Sequence, residues 1–202
     1  DVLNYQFKIE ISDDTDEIHC EVTIDVRYLG DGIDSLRLDL VKASEVLENK
    51  GMNISTILSN GKALAYSHEG DELKIKLPTT SKFNQRQQYI ISYSGVPASG
   101  LKIDKNKYGD RTFFSDNWPD KGRNWLSVVD HPYDKATCEF VVVAPAHYQV
   151  VSNGLKIEET DLENGKRLTH WKQSVPIASW LYTLGIARFA VEFVREPDAH
   201  LG

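Results

Sequence analysis

The chain has 202 residues, 41% of them apolar and 26% charged, which is enough for one large domain or two small ones with a real core. Its formal net charge is −7 and no basic run of five or more residues occurs, which argues against a nucleic-acid surface. No apolar run approaches the roughly 18–20 residues that a membrane-crossing helix needs.

Tyr5, Phe7, Ile9 and Ile11 alternate with polar residues, the period of a strand with one buried face. A polar turn, Ser12–Asp16, leads to Ile18, Cys20, Val22, Ile24, Val26 and Tyr28, which alternate as regularly. The two runs predict an antiparallel hairpin. After Gly30-Asp31-Gly32 comes a third alternating run, Leu36, Leu38 and Leu40. Residues 41–51 read as a loop with weak strand character. Ile54–Leu58 and Ala63–Tyr66 flank Ser59-Asn60-Gly61, and Asn-Gly signals a hairpin because both residues tolerate positive φ. Leu73, Ile75 and Leu77 form the next strand, stopped by Pro78, and Gln88–Tyr93 the one after, closed by Gly95 and Pro97.

Phe113–Phe140 breaks this rhythm, with Trp118, Trp125, Pro119 and Pro132 around a charged, turn-rich centre. Strands then resume at Thr137–Val143, broken by Ala144-Pro145-Ala146. Tyr148–Val151, Leu155–Glu158 and Arg167–Trp171, separated by Asn153-Gly154 and Asn164-Gly165, predict a meander of two hairpins. Trp180–Leu184 and Ala187–Val194 across Gly185 complete the series. About a dozen short strands without a long amphipathic helix predict an all-β domain, a sandwich or several curved sheets, over residues 1–195. The polar tail 196–202 reads as a linker. The missing initial methionine and the strand that starts at the second residue predict a fragment whose leader or neighbouring domain has been removed. A removed leader would fit export, periplasmic or secreted, but the sequence does not fix the compartment.

Chemistry-bearing motifs are incomplete. His68-Glu69-Gly70-Asp71-Glu72 has glutamate where H-E-x-x-H needs its second imidazole, and its glycine and flanking strands mark a loop. The six histidines include no pair at i,i+2, i+3 or i+4. No G-x-S-x-G elbow and no phosphate-binding glycine loop occurs. Asn53-Ile54-Ser55 matches a glycosylation sequon, which carries no weight without a secretion context. Asp13-Asp14, Glu158-Glu159 and Asp116 with Asp120 are carboxylate pairs, most of them in turns, where a solvated face is the default. Cys20 and Cys138 are expected as buried free thiols, and a bridge between them would need their strands to meet. Arg123 and Asp130 read as a pair pinning the central segment over Trp125, Leu126, Val128 and Val129.

From Tyr93 onward the order of features resembles the N-terminal domain of the aminopeptidase N family of zinc metallopeptidases. Tyr93-Ser94-Gly95 with Gly100 is similar to the family's approach to its central segment. Arg123, Trp125, Asp130 and Pro132 follow its R-x-W-x-P-x-x-D-x-P run, with Ser127 in a proline place. Ser152-Asn153-Gly154 resembles its hairpin. Trp171, Pro176, Ser179, Trp180, Leu181, Gly185 and Phe189 follow its W-x(4)-P-x-x-S-Y-L-x(3)-G-x(3)-F pattern, with Trp180 in the tyrosine place.

The resemblance implies a noncatalytic, saddle-shaped β-domain that walls the active-site cleft of a zinc peptidase domain and helps hold the substrate's free α-amino group. The family's G-A-M-E-N and H-E-x-x-H motifs do not occur here, so no cofactor is expected in this chain, and zinc is expected in a downstream catalytic domain. The chain alone is expected to be inactive. The expected partners are that domain and a peptide N-terminus. Counting back from Arg123, Trp118 stands where the family has its amine-binding Gln or Glu, and Asp116 where some members have another glutamine. The candidate substrate-binding residues are therefore Asp116, Asn117 and Trp118, with Asp116 or Asn117 taking the anchor's role if the loop shifts by one or two residues and Trp118 as an apolar or cation–π wall. The plainer reading is that Asp116 and Asn117 only satisfy turn backbone before Trp118-Pro119. An exposed apolar face, where the catalytic domain docks, is expected as well. Two other readings stand beside this one. One is a stand-alone carbohydrate-binding sandwich using Trp118 and Trp125 as stacking platforms, and the other is a family member that has lost activity.

Overall fold

Regular alternation produces the first hairpin. In the computed structural model, which describes residues 1–192, β1 (Val2–Glu10) and β2 (Ile18–Arg27) bury Tyr5, Phe7, Ile9, Cys20, Val22 and Ile24 on one face. The next strands are β3 (Ser35–Asp39), β4 (Gly51–Ser59), β5 (Lys62–Ala63), β6 (Tyr66–Glu69), β7 (Glu72–Lys76) and β8 (Arg86–Val96). Then come β9 (Leu101–Lys105), β10 (Arg111–Ser115), β11 (Ala136–Pro145), β12 (Gln149–Ser152), β13 (Leu155–Asp161), β14 (Lys166–Ile177) and β15 (Leu184–Ala187). The helical turns among the described residues are short 3-10 turns, so the domain is all-β.

These strands form three sheets. The largest has the order β13-β14-β11-β1-β2-β8-β4-β5, a four-stranded sheet has the order β12-β15-β10-β9, and a three-stranded sheet has the order β3-β7-β6. In the large sheet β1 runs parallel to β11, and the other pairings are antiparallel. One apolar cluster draws on all three sheets, including Phe7, Ile24, Ile91 and Phe140 from the large one, Leu38 and Ile75 from the smallest, and Phe113 and Ile186 from the third. On the opposite face of the large sheet, Glu139 of β11 is tied to both flanking strands. Gln6 Nε2 donates to it at 3.3 Å, His170 Nε2 lies at 2.8 Å and Lys172 Nζ at 3.0 Å. Burial pushes the Glu139 carboxyl up, but its Lys172, His170 and Gln6 partners more than offset this and hold it below its ordinary range.

Several local expectations change. Asn60 and Gly61 do turn a hairpin, both at positive φ, but its return strand ends at Ala63 and β6 begins only at Tyr66, in another sheet. The Asn164-Gly165 hairpin joins β13 to β14 as expected, whereas Asn153-Gly154 carries the chain from the four-stranded sheet to the large one. The crossing is tight: Gly154 has φ +83°, and a Cβ there would lie 2.0 Å from the Lys172 carbonyl oxygen. The expected strand at Trp180–Leu184 is instead a 3-10 turn, Ser179–Leu181, followed by β15. Gly185 lies within β15 under the Phe114 ring, and no strand follows Ala187 among the described residues. β9 and β10 were not anticipated, because five-residue strands with few apolar positions give little periodicity. The proposed linker 196–202 lies outside the described residues.

Cys20 faces Ile9 and Cys138 faces Tyr5 in register, so β1 separates them and both are free thiols. Burial pushes each up to about 12, which leaves them inert near neutral pH.

Candidate functional site

The central segment leaves β10 at Ser115 and returns to the large sheet at Ala136. Its apolar residues form its floor. Trp125, Leu126 and Val128 are fully buried, and the Trp125 ring stacks on Phe140 at 6.4 Å. Two buried phenols support its backbone: Tyr93 OH donates to the Trp125 carbonyl, and the Val129 N–H donates to Tyr5 OH at 2.9 Å. Burial pushes both phenols up, so they stay neutral.

The charged residues form a clamp. Asp130, 4% exposed, accepts from the Arg123 N–H at 3.1 Å and from Ser179 Oγ at 2.6 Å, and Arg123 Nε lies 3.4 Å from it. The Arg123 guanidinium continues to Asp71 at 2.7 Å, and the Asp130 N–H donates to Asp39 Oδ2 at 2.9 Å. Asp39 and Val128 also exchange backbone hydrogen bonds, which joins the segment to β3. The expected Arg123–Asp130 pair is therefore present, and it extends to the three-stranded sheet. Burial pulls the guanidinium down, but the Asp71 hydrogen bond and the charges of Asp39 and Asp130 outweigh it and raise it above its ordinary value. The hydrogen bond from Arg123 in turn holds Asp71 below the usual carboxylate range.

Upon this floor sits the 115–124 loop. Ser115 Oγ accepts from the Leu184 N–H at 2.8 Å, and the Asp116 N–H donates to the Gly100 carbonyl at 2.7 Å. Gly100 has φ +77°, and a Cβ there would lie 2.3 Å from the Lys121 carbonyl oxygen, so only glycine fits. Asn117 is 3% exposed. Its amide donates to the Tyr182 carbonyl at 2.7 Å and accepts from the Trp125 indole N–H at 2.8 Å. Its own carbonyl accepts from the Lys121 N–H at 2.9 Å. Asp116 and Trp118, on either side of this buried post, face solvent, with the Asp116 side chain 71% exposed and Trp118 66% exposed. Lys121 Nζ lies 3.0 Å from Asp116 Oδ2.

The three candidate residues thus share one turn but divide by direction. Asp116, paired with Lys121, and Trp118 face solvent, while the Asn117 side chain is engaged inside the domain. Sequence reasoning missed Lys121, Asp39, Asp71, Ser179 and Tyr182 as partners of this loop. For Asp39, alternation points the wrong way: a polar residue between Leu38 and Leu40 reads as solvent-facing, yet the central segment covers it. With Trp125 wholly buried, the paired stacking platform needed for carbohydrate is gone, and that reading falls.

Beside the loop lies an apolar groove of about 860 Å³, lined by Phe114, Val151, Trp171, Leu184, Phe189 and Val191, with Ser115 in its wall. Phe114, Val151 and Val191 are exposed. No group of three His, Cys, Asp or Glu side chains gathers among the described residues to hold a metal ion. His68, in the nearest approach to a zinc motif, is buried on the β6–β7 hairpin with Nε2 2.8 Å from the Leu40 carbonyl oxygen. These residues do not fit a zinc site.

Fold and loop together give an all-β domain that presents an exposed carboxylate and an exposed indole, Asp116 and Trp118, on a single turn. The family model for the peptidase M1 N-terminal domain matches residues 2–181, and the chain belongs to that family. A probable aminopeptidase 2 of Sulfurisphaera tokodaii is 26% identical over 147 residues, 71% of this chain and 18% of that protein. A leucyl aminopeptidase of Saccharolobus solfataricus is 23% identical over 159 residues, 78% of this chain and 20% of that protein. The chain therefore spans about a fifth of the length of these curated relatives. The crystal structure of an M1 zinc metallopeptidase from Deinococcus radiodurans superposes with a TM-score of 0.79 at 22% identity, covering 93% of this chain and 42% of that one. That likeness is one of fold.

Proposed function

We propose that this domain forms the substrate-side wall of a zinc aminopeptidase, with the 115–124 loop receiving the free amino group of a peptide. Hydrolysis and its zinc belong to a catalytic domain that follows in the same protein. Asp116 is the anchor, because a carboxylate accepts several hydrogen bonds from an ammonium and opposes its charge. Trp118 supplies an apolar face beside the amine or the first side chain. The apolar groove is the docking surface for the catalytic domain. The observation that carries this reading is the division within the turn: Asp116 and Trp118 are exposed while Asn117 is fixed beneath them, so the fold sets the backbone that presents both side chains to solvent. Family membership supports the setting.

The test uses the full-length protein. Asp116→Asn is expected to raise KM for L-leucine p-nitroanilide about tenfold, the loss of one charge-assisted hydrogen bond. Calorimetry with L-leucinamide should show the same weakening, and N-acetyl-leucinamide, which lacks the ammonium, should not distinguish variant from wild type. An unchanged KM and an unchanged leucinamide affinity would remove Asp116 from the site. The 1–202 chain alone is expected to bind less than stoichiometric zinc and not to cleave aminoacyl anilides. Stoichiometric zinc or turnover by that chain would overturn the division of labour.

A further inference from the structure

The anchor carboxylate already holds an ammonium group. Lys121 Nζ sits 3.0 Å from Asp116 Oδ2, and backbone contacts bring the two residues together. The Lys121 N–H donates to the Asn117 carbonyl at 2.9 Å, and the Lys121 carbonyl accepts from the Asn124 N–H at 3.1 Å and from Asn124 Nδ2 at 3.0 Å. Gly100 closes the arrangement: its carbonyl accepts from the Asp116 N–H, and its missing side chain admits the Lys121 carbonyl. Both main-chain positions are thus set by the fold, while the paired side chains remain exposed, 71% for Asp116 and 39% for Lys121. An alkylammonium on a carboxylate is chemically the same contact as a peptide N-terminus on that carboxylate, and Lys121 can make only donor contacts.

We propose that Lys121 is a resident competitor for the amine anchor, occupying Asp116 in the ligand-free loop and swinging away when the substrate's ammonium arrives. This rests on the reading of Asp116 as that anchor. The lysine ammonium rides on a flexible four-carbon stem, so it leaves without moving the loop. Because the pair is solvent-exposed, its displacement is cheap: an ion pair of this kind weakens a competing ligand by about two- to fivefold. Lys121 is a positioning residue acting through Asp116, and it sets the affinity for amines without entering the chemistry.

The experiment compares Lys121→Gln, Lys121→Arg, Asp116→Asn and the double variant Asp116→Asn/Lys121→Gln in the full-length protein at low ionic strength, where exposed pairs are least screened. KM and kcat are read with L-leucine p-nitroanilide, and the Kd of L-leucinamide is read by calorimetry, which needs no turnover. Lys121→Gln is expected to lower KM and Kd about two- to fivefold with kcat little changed. Lys121→Arg keeps a cation on Asp116 and should lower neither. The double variant should match Asp116→Asn. If Lys121→Gln leaves Kd unchanged or raises it while Asp116→Asn weakens binding, Lys121 does not compete, and the proposal fails with the anchor reading intact. If Asp116→Asn leaves Kd unchanged, the anchor reading falls and takes this proposal with it.

Discussion

At the scale of single residues, Asn117 shows how a polar side chain becomes scaffold next to residues that face a ligand. Its amide meets one donor and one acceptor, Trp125 Nε1 and the Tyr182 carbonyl, in a place without water access. Asn117→Ala would leave both of those groups unpaired, at a cost of about 2–3 kcal/mol. The expected outcome is a lower urea midpoint with an unchanged m value. In the full-length protein a loosened loop should also weaken leucinamide binding. A midpoint equal to wild type would mean that the loop is held elsewhere. The neighbouring Trp118 has no such partner among the described residues, and its exposed ring marks the outward side of the same turn.

At the scale of elements, Glu139 couples three adjacent strands through Gln6, His170 and Lys172. Its carboxyl is held below its ordinary range, so folding favours the ionised form. The resulting stability is complete above the usual carboxylate range and is lost as pH falls through the lowered value. Glu139→Gln is expected to cost stability at pH 7, and its difference from wild type should narrow as pH drops below about 4. Parallel acid titration of melting temperatures checks this, and a constant offset would refute it. The strands themselves were largely legible. Alternation in β1, β2, β3, β7 and β8 reports which face is buried, because a half-covered sheet imposes that period. What alternation does not encode is which sheet a strand joins. Nothing in Tyr148–Val151 says that β12 pairs with β15 and not with its successor β13. The candidate site was legible only as a place. Charge, tryptophan and proline between strands located the loop, while its partners come from residues as distant as Asp39 and Tyr182.

At the scale of the molecule, the Arg123–Asp130 clamp links the central segment to the three-stranded sheet through Asp39 and Asp71 and to the 3-10 turn before β15 through Ser179. Asp130→Ala removes acceptors for Ser179 Oγ and the Arg123 N–H at a buried point and is expected to cost about 3 kcal/mol or more. Because one apolar cluster draws on all three sheets, the loss should appear in a single shifted transition by both fluorescence and circular dichroism. Two separated transitions would contradict a shared core. The parallel pairing of β1 with β11 has a kinetic meaning as well. Tyr5 meets Cys138 across more than half the chain, so one edge of β1 stays raw until the ribosome has released β11. During that interval β1 and β2 form a ribbon open to foreign strands. Folding of this domain should therefore be slow for its size, and most prone to aggregation in truncated chains that stop short of Ala136.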